Sequence, residues 1–280
     1  MVDKRQALTE QDVSGYDIHP DIVRYLEACR ERLGLLPQQT RVLDWGCGRG
    51  EAVLWLRDRG YQACGIDIED TYVERGRELL RQRGQDETVL RVIEPPARTA
   101  FADGEFHYVF SDQVLEHVPE LEPVLAEIAR VTAPGGATFH SFPAHLHPVE
   151  DHLRMPFVHY FPKNRSRYVW VLLCVLLGRG PRWNHLEESG RIARSRAYYE
   201  YSVSATYYRT PQRVQRAFAA SGLRAEFVTA AKSSWRRLRL ADWIARSRVG
   251  YRFVEWALLT FRSVEILAHK QQPGSTSPRP

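Results

Sequence analysis

Apolar positions along the chain follow two alternating periods. Over residues 21–33, Ile22, Leu26 and Leu33 recur near helical spacing and predict an amphipathic helix. Residues 41–45 (Arg-Val-Leu-Asp-Trp) read as a short strand running into a glycine-rich turn. A helix over 51–59 follows, with Gly60 where a C-terminal cap belongs. The rhythm repeats with a strand over 61–66, a helix over 71–83 closed by Gly84, and strands over 88–93 and 106–110. A helix over 120–131, ended by Ala133-Pro134-Gly135-Gly136, leads to a strand over 137–142. This alternation predicts right-handed βαβ units and an α/β, doubly wound, mainly parallel sheet with helices on both faces.

After Pro143 the rhythm breaks. Residues 143–206 mix histidine, arginine, aromatics and one apolar run, and read as an inserted cap. The alternation resumes with a helix over 211–220 and a strand over 223–229. An Arg- and Trp-rich stretch over 235–261 has helical spacing, and a seventh strand covers 263–269. The predicted organisation is therefore an N-terminal helix and ligand-binding half (1–142), a cap (143–206), the C-terminal part of the same domain (207–270), and a disordered tail (271–280).

Composition narrows the class. Of 280 residues, 44% are hydrophobic and 26% charged, which supports a sizeable core and excludes a disordered chain. No short period repeats, so solenoid and collagen-like arrays are excluded. The cysteines Cys29, Cys47, Cys64 and Cys174 contain no C-x-x-C pair. That argues against a disulfide framework or zinc knuckle and suits a reducing compartment. The first residues, MVDKRQALTEQDV, lack the apolar core of a signal peptide, and the longest apolar run covers only residues 168–177. A cytoplasmic chain without a transmembrane span is the expectation. Charge is divided: residues 1–150 hold 16 Lys+Arg against 26 Asp+Glu, and residues 151–280 hold 23 against 8. The second half suits an acidic partner or membrane surface, or else a solvated Arg-rich surface.

The candidate chemistry begins at VLDWGCGRG (residues 42–50), where Gly46, Gly48 and Gly50 stand at alternate positions between strand and helix. Glycine is required where the chain turns sharply and its backbone must approach a ligand. A dinucleotide site would want G-x-G-x-x-G, but the position three after Gly48 is Glu51. The pattern is acid-x-G-x-G-x-G, led by Asp44, and a second acid, Asp67, lies 21 residues past Gly46 at the end of the next strand. An acid there can accept both hydroxyls of an adenosine ribose.

With these motifs in order, the sequence resembles the class I S-adenosylmethionine-dependent methyltransferases over roughly 41–142, resuming at 207–229. VLDWGCGRG looks like the family's first motif and CGIDI like its ribose-binding second. The segment from Phe101 to Gly136 looks like the fourth strand and following helix. The resemblance implies a Rossmann-like fold with S-adenosylmethionine as cofactor. Asp44, Gly46, Cys47 and Gly48 would line its methionine end, Asp67 its ribose and Ile68 its adenine. Glu94 is the nearest match for the adenine-amine contact, and Ser111 and Gln113 would face the sulfonium. His107 stands where the family usually has an aspartate, a mainly structural position.

For a hydroxyl acceptor a general base is needed. Candidates are His117 and the group His145, His147, Glu150, Asp151, His152 and His159 after the fifth strand, where this fold places its acceptor. No metal is expected, because the spacing of His145, His147 and His152 fits no familiar ligand pattern. Nucleic acid is disfavoured as a partner, since SDQV replaces the proline-aromatic motif of base-amine methyltransferases and no cysteine is placed for cytosine chemistry. The stretch DHLRMPFVHYFP looks like cap segments of methyltransferases found with bacterial polysaccharide synthesis, which implies a glycan or other small-molecule acceptor. The run over 168–177 is flanked by arginines, and Trp235, Trp243, Tyr251, Phe253 and Trp256 interleave with Arg236, Arg237, Arg239, Arg246, Arg248 and Arg252. Both suit peripheral membrane contact, with Trp170, Leu173 and Leu177 facing outward. A cap helix buried on the sheet, or a dimer contact, is the alternative. In function, the alternatives are a quinone- or lipid-type O-methyltransferase, an RNA methyltransferase, or a non-catalytic scaffold that binds the cofactor.

Overall fold

The computed structural model describes residues 6–94, 98–183, 186, 189–231 and 239–271. Along the chain, α1 (Glu10–Ser14) and α2 (Pro20–Leu33) precede β1 (Arg41–Trp45), α3 (Glu51–Arg57), β2 (Gln62–Asp67), α4 (Asp70–Gln82) and β3 (Leu90–Val92). Then come β4 (Phe106–Asp112), α5 (Leu121–Val131) and β5 (Thr132–Pro143). The cap holds a small hairpin, β6 (Val149–Glu150) and β7 (Met155–Pro156), with α6 (Arg165–Leu176) and α7 (Arg191–Ser204). The chain closes with α8 (Pro211–Ala220), β8 (Arg224–Phe227), α9 (Arg239–Ile244), α10 (Arg248–Phe261) and β9 (Ser263–His269).

Seven strands form one sheet in the order β3-β2-β1-β4-β5-β9-β8. The pairs from β3 to β5 are parallel. Strand β9 runs antiparallel to both β5 and β8, so it alone is reversed. This is the seven-stranded, mainly parallel Rossmann-like sheet expected. Strand order reverses between β1 and β4, and an open α/β sheet binds its ligand in the crevice at that switch point.

Burial explains why the strands read as apolar runs rather than alternations: Val42 and Leu43, on opposite faces of β1, are both fully buried. One face packs Ile22, Leu26, Val53, Leu56 and Leu80. The other packs Leu125, Ile128, Val214, Phe218 and Leu259. A third cluster of Leu153, Met155, Val158, Val171, Cys174, Val175 and Tyr198 gives the cap an apolar core of its own.

Strand β5 departs from expectation by starting at Thr132. Thr132 pairs with Phe106 and Ala137 with Tyr108, so the residues between are extruded as a bulge instead of a closed turn. A Cβ at Gly136 would lie 2.7 Å from the His107 carbonyl oxygen, which is why glycine stands there. Helix α3 ends at Arg57, two residues short of the expected span, and Gly60 (φ 87°) turns the chain into β2. No helix among the described residues is long and apolar enough to cross a membrane. Trp235, Arg236 and Arg237 lie outside the described residues, as does the tail from 272.

The expected outward face of α6 is only partly outward. Leu173 and Leu177 are exposed, but the Trp170 indole donates to the Pro156 carbonyl at 2.6 Å and stacks on Phe161. An indole N–H needs an acceptor, and the hairpin supplies one, so Trp170 turns into the cap.

Candidate functional site

Strand β1 delivers the chain to the crevice through Gly46, whose φ of 87° lies in the left-handed region. The amides of Gly46 and Cys47 both donate to the Ile66 carbonyl, at 2.8 and 2.9 Å, and pin the loop to β2. A Cβ on Gly46 would sit 2.4 Å from Val114 Cγ2, so the residues after β4 pack directly onto this glycine. The loop ends at Gly50, the N-cap of α3. Asp67 at the end of β2 accepts from the Gly48 amide at 2.7 Å through one carboxylate oxygen and from the Glu69 amide at 2.9 Å through the other. Asp44 is buried on the neighbouring strand, and Cys47 is buried with its thiol directed to the Gly48 carbonyl. Ile68 is 62% exposed just beyond Asp67. The Ile93 amide donates to the Asp67 carbonyl, which sets the exposed Glu94 at the same edge.

Two residues that hold this loop escaped the sequence reading. Arg49 is 1% exposed, donates to Glu51 Oε1 at 3.0 and 2.8 Å, and reaches the carbonyls of Gln6 and Ala7 at 3.2 and 3.3 Å. It straps the N-terminal segment onto the loop. The phenol of Tyr16, from that same segment, is pushed up by burial and by Asp44, Asp112 and Glu51 around it. Gly76 in the middle of α4 lets that helix approach, since a Cβ there would lie 2.1 Å from the Arg49 carbonyl oxygen. A mid-helix glycine was the one available signal.

On β4 the structure corrects one assignment. Ser111 is fully buried and its hydroxyl is 2.7 Å from His140 Nδ1, on the face that packs Phe218. Successive strand residues point to opposite faces, so Ser111 turns away from the crevice and Asp112 turns toward it. Asp112 Oδ1 is buried without a hydrogen-bond partner. Gln113 follows with φ 57°, exposed, its amide donating to the Ser141 carbonyl at 2.8 Å. His140 is held neutral by complete burial, its pKa pushed down to about 3.

The candidate histidines are divided between separate places: His117 and His152 meet, while His145 and His147 lie elsewhere. His117, in the 3₁₀ turn Leu115–His117, places Nδ1 2.6 Å from the Ala205 carbonyl and Nε2 3.1 Å from His152 Nε2. His152 Nδ1 meets Glu150 Oε1 at 2.9 Å, and the buried Glu150 also accepts from the Tyr208 hydroxyl at 2.7 Å. Burial opposes charge on His152, but the Glu150 contact outweighs it and raises the pKa. Glu116 is 1% exposed, neither carboxylate oxygen has a hydrogen-bond partner, and burial pushes its pKa up to about 8. His147 instead caps the Val149 carbonyl at 2.6 Å, beside the exposed Asp151. His145 lines a separate cavity of about 490 Å³ with Gln215, Trp256 and Thr260. The Leu146 amide, bonded to the Thr260 carbonyl, draws that stretch toward α10 and away from His152. His159 packs on Tyr208 at 4.4 Å between ring centres, its pKa pushed down to about 4 by burial.

Arg209, also missed, secures the turn that carries His117. Its guanidinium donates to the carbonyls of Leu115, Val118 and Pro119. The Tyr207 amide adds a bond to the Glu116 carbonyl. Tyr201 of α7 lies 5.7 Å from the His152 ring, a contact within the cap, while the cap meets the turn after β4 at the His117–His152 pair.

A glycine loop after β1, an acid closing β2, a crevice at the strand-order reversal and one reversed strand define the class I methyltransferase architecture. Comparison agrees: residues 43–140 match the family model described as a methyltransferase domain, and that segment is a class I S-adenosylmethionine-dependent methyltransferase domain. A probable chloroplastic tocopherol O-methyltransferase from Oryza sativa subsp. japonica is 35% identical over 95 residues, covering 34% of this chain and 26% of the relative. A ubiquinone biosynthesis O-methyltransferase from Methylococcus capsulatus is 34% identical over 101 residues, covering 36% and 42%. The chain thus matches less than half the length of these curated relatives. A solved geranyl diphosphate C-methyltransferase from Streptomyces coelicolor shares the fold at a TM-score of 0.50, with 16% identity over 95% of this chain and 90% of that one.

Proposed function

We propose that the chain uses S-adenosylmethionine to O-methylate a small hydroxylated acceptor, a sugar or a lipid-linked saccharide, releasing S-adenosylhomocysteine. The observation that carries this reading is the joint geometry of the glycine loop and Asp67. When bound, the cofactor would supply a methyl group on cationic sulfur; the acceptor oxygen would take the methyl carbon, sulfur would keep the carbon–sulfur electron pair, and the hydroxyl proton would pass to an imidazole of the His117–His152 pair. The residues fit such a group. Asp67 is aimed by two amides and keeps lone pairs for two ribose hydroxyls, and Asp112 holds a buried oxygen without a partner. Asp44 and Asp112 put negative charge beside the loop, as a cationic ligand requires. Ile68 and Glu94 are exposed at the edge where the adenine would rest. Oxygen as acceptor atom is supported by the O-methyltransferase names of two relatives.

The test is calorimetry with S-adenosylmethionine, paired with mass-spectrometric detection of a methylated product. Asp67→Ala removes two charge-assisted hydrogen bonds and should weaken binding by about 2–4 kcal/mol. Unchanged affinity in that variant refutes the site. Binding without any product favours a non-catalytic scaffold.

A second reading, peripheral docking on an anionic membrane to reach a lipid-linked or quinone-type acceptor, is favoured by two exposed stripes. Val169, Leu173, Leu176 and Leu177 lie on or just after α6 between Arg165 and Arg179. Val249, Phe253 and Trp256 lie on α10 beside Arg248 and Arg252. Basic residues near an acidic leaflet contribute about 1 kcal/mol each. Flotation with phosphatidylserine vesicles should succeed at low salt and fail at high salt, and fail outright in a Leu173→Asp, Leu177→Asp double variant. Absence of flotation at low salt excludes this reading and leaves a soluble acceptor.

A further inference from the structure

The meeting of His117, His152 and Glu116 is unusual in its chemistry. Each imidazole has its outer nitrogen committed. His117 Nδ1 faces a carbonyl oxygen, which can only accept, and His152 Nδ1 faces the Glu150 carboxylate. Both rings therefore carry their proton on Nδ1, and in the neutral tautomer each directs a lone pair from Nε2. Those two Nε2 atoms lie 3.1 Å apart, with the rings inclined at 73°. Two lone pairs at that distance call for a cation between them, either a shared proton or a metal ion. Glu116 decides between the two. Its carboxylate is 1% exposed, neither oxygen has a hydrogen-bond partner, and Oε1 lies 3.8 Å from His117 Nε2. The three donor atoms are all within 4.8 Å of one another. A shared proton would satisfy the nitrogens and leave both Glu116 oxygens without a partner, whereas one metal ion engages all three side chains.

We infer that Glu116, His117 and His152 form a site for a divalent transition-metal ion of the zinc type, beside the methyl-acceptor crevice. Donors bound to one zinc at about 2.0–2.2 Å lie near the spacing seen for the nitrogens, and a short rotation of Glu116 brings its oxygen within reach. Two imidazoles and a carboxylate are a donor set suited to zinc, with a position left for an exogenous oxygen. The outer contacts have the form that holds metal-binding histidines elsewhere: a carboxylate on one ring, a backbone carbonyl on the other, and the carboxylate itself fixed by Tyr208 and the Leu153 amide. The turn that carries Glu116 and His117 begins just after Val114, which packs on Gly46. The ion would bind the acceptor oxygen and lower the pKa of its hydroxyl. That role rests on the proposed methyl transfer; the binding of the ion does not.

The experiment uses the full-length, tag-free chain after chelator treatment. Zinc titration by calorimetry should give one equivalent per chain, and cobalt(II) should give the intense visible absorption of a low-coordinate site. His117→Ala and His152→Ala should abolish both signals, and Tyr208→Phe should weaken zinc binding about 10–100-fold through Glu150. S-adenosylmethionine affinity, measured on the same samples, should stay unchanged. Failure of the wild-type chain to take up zinc or cobalt(II) overturns the inference, as does undiminished binding in the histidine variants. If an alanine variant fails to fold, the wild-type cobalt spectrum and the Tyr208→Phe titration still decide. Metal binding without cofactor binding would reject the methyl-transfer reading and leave the ion site standing.

Discussion

The glycine-loop crevice draws Asp44, Gly46, Gly48 and Asp67 from residues 44–67. The polar cluster takes Glu116 and His117 from the turn after β4, Glu150 and His152 from the cap, and Ala205 and Tyr208 from the segment before α8. The first is a backbone device: amides, carbonyls and positive-φ glycines set its shape, and one side chain, Asp67, reads it out. The second is a side-chain device: His117 meets His152 across 35 residues and Glu150 meets Tyr208 across 58. Charge follows the same division, with 26 acidic against 16 basic residues in the half that builds the crevice and 23 basic against 8 acidic in the half that holds the cap. The matched domain, residues 43–140, holds the whole crevice together with Glu116 and His117 and stops ahead of His152.

The largest effect should come from dividing the histidines. His152→Ala is expected to reduce turnover about 10²–10⁴-fold while cofactor affinity by calorimetry is retained. His145→Ala and His147→Ala should keep most of their turnover, because neither side chain reaches the His117–His152 pair. Equal losses in all three would erase the distinction between pocket and surrounding loop.

A stability change should expose the backbone device. Arg49, with its side chain 2% exposed, pairs with Glu51 and binds two N-terminal carbonyls. Arg49→Ala should cost about 3–5 kcal/mol in urea unfolding, since it breaks a buried ion pair and releases the N-terminal strap. A change below about 1 kcal/mol would mean that the strap contributes little to the loop.

The smallest effect concerns β5, the strand that leads into the cap. His140 stays neutral in the folded protein down to about pH 3, while the unfolded chain takes up a proton below about 6.5. Its folded pKa is lowered, so its contribution is complete above pH 6.5 and is lost progressively as the pH falls toward 3. His140→Gln should be less stable than the parent at neutral pH, with the gap narrowing on acidification. A gap that is constant across that range would show that His140 is not held neutral beside Ser111.

Much of the fold was legible in the chain. β1 and β9 fall where the apolar runs placed them, and α8 where Pro211 and the Ser221-Gly222 cap did, because local propensity, capping and burial agree there. The bulge at 132–136 was not, because Ala-Pro-Gly-Gly satisfies a turn and a bulged strand equally, and pairing with β4 selects between them. Ser111 was misplaced by one position, which on a strand means the opposite face. Trp170 was turned inward by a carbonyl that only the hairpin brings near.

What the sequence by itself determined was the part whose physics is local. Three glycines at alternate positions after an apolar strand require a sharp turn with open backbone, and an acid at the end of the following strand falls beside it because parallel strands keep that register. What only the tertiary structure decided was the convergence of side chains on separate elements. His117 and His152 are 35 residues apart, and neither carries a spacing that marks a partner. Their meeting depends on how the cap folds back over β4, secured by Arg209 and by the Tyr207 amide. Such contacts come from packing between distant segments, and no local pattern of residues records them.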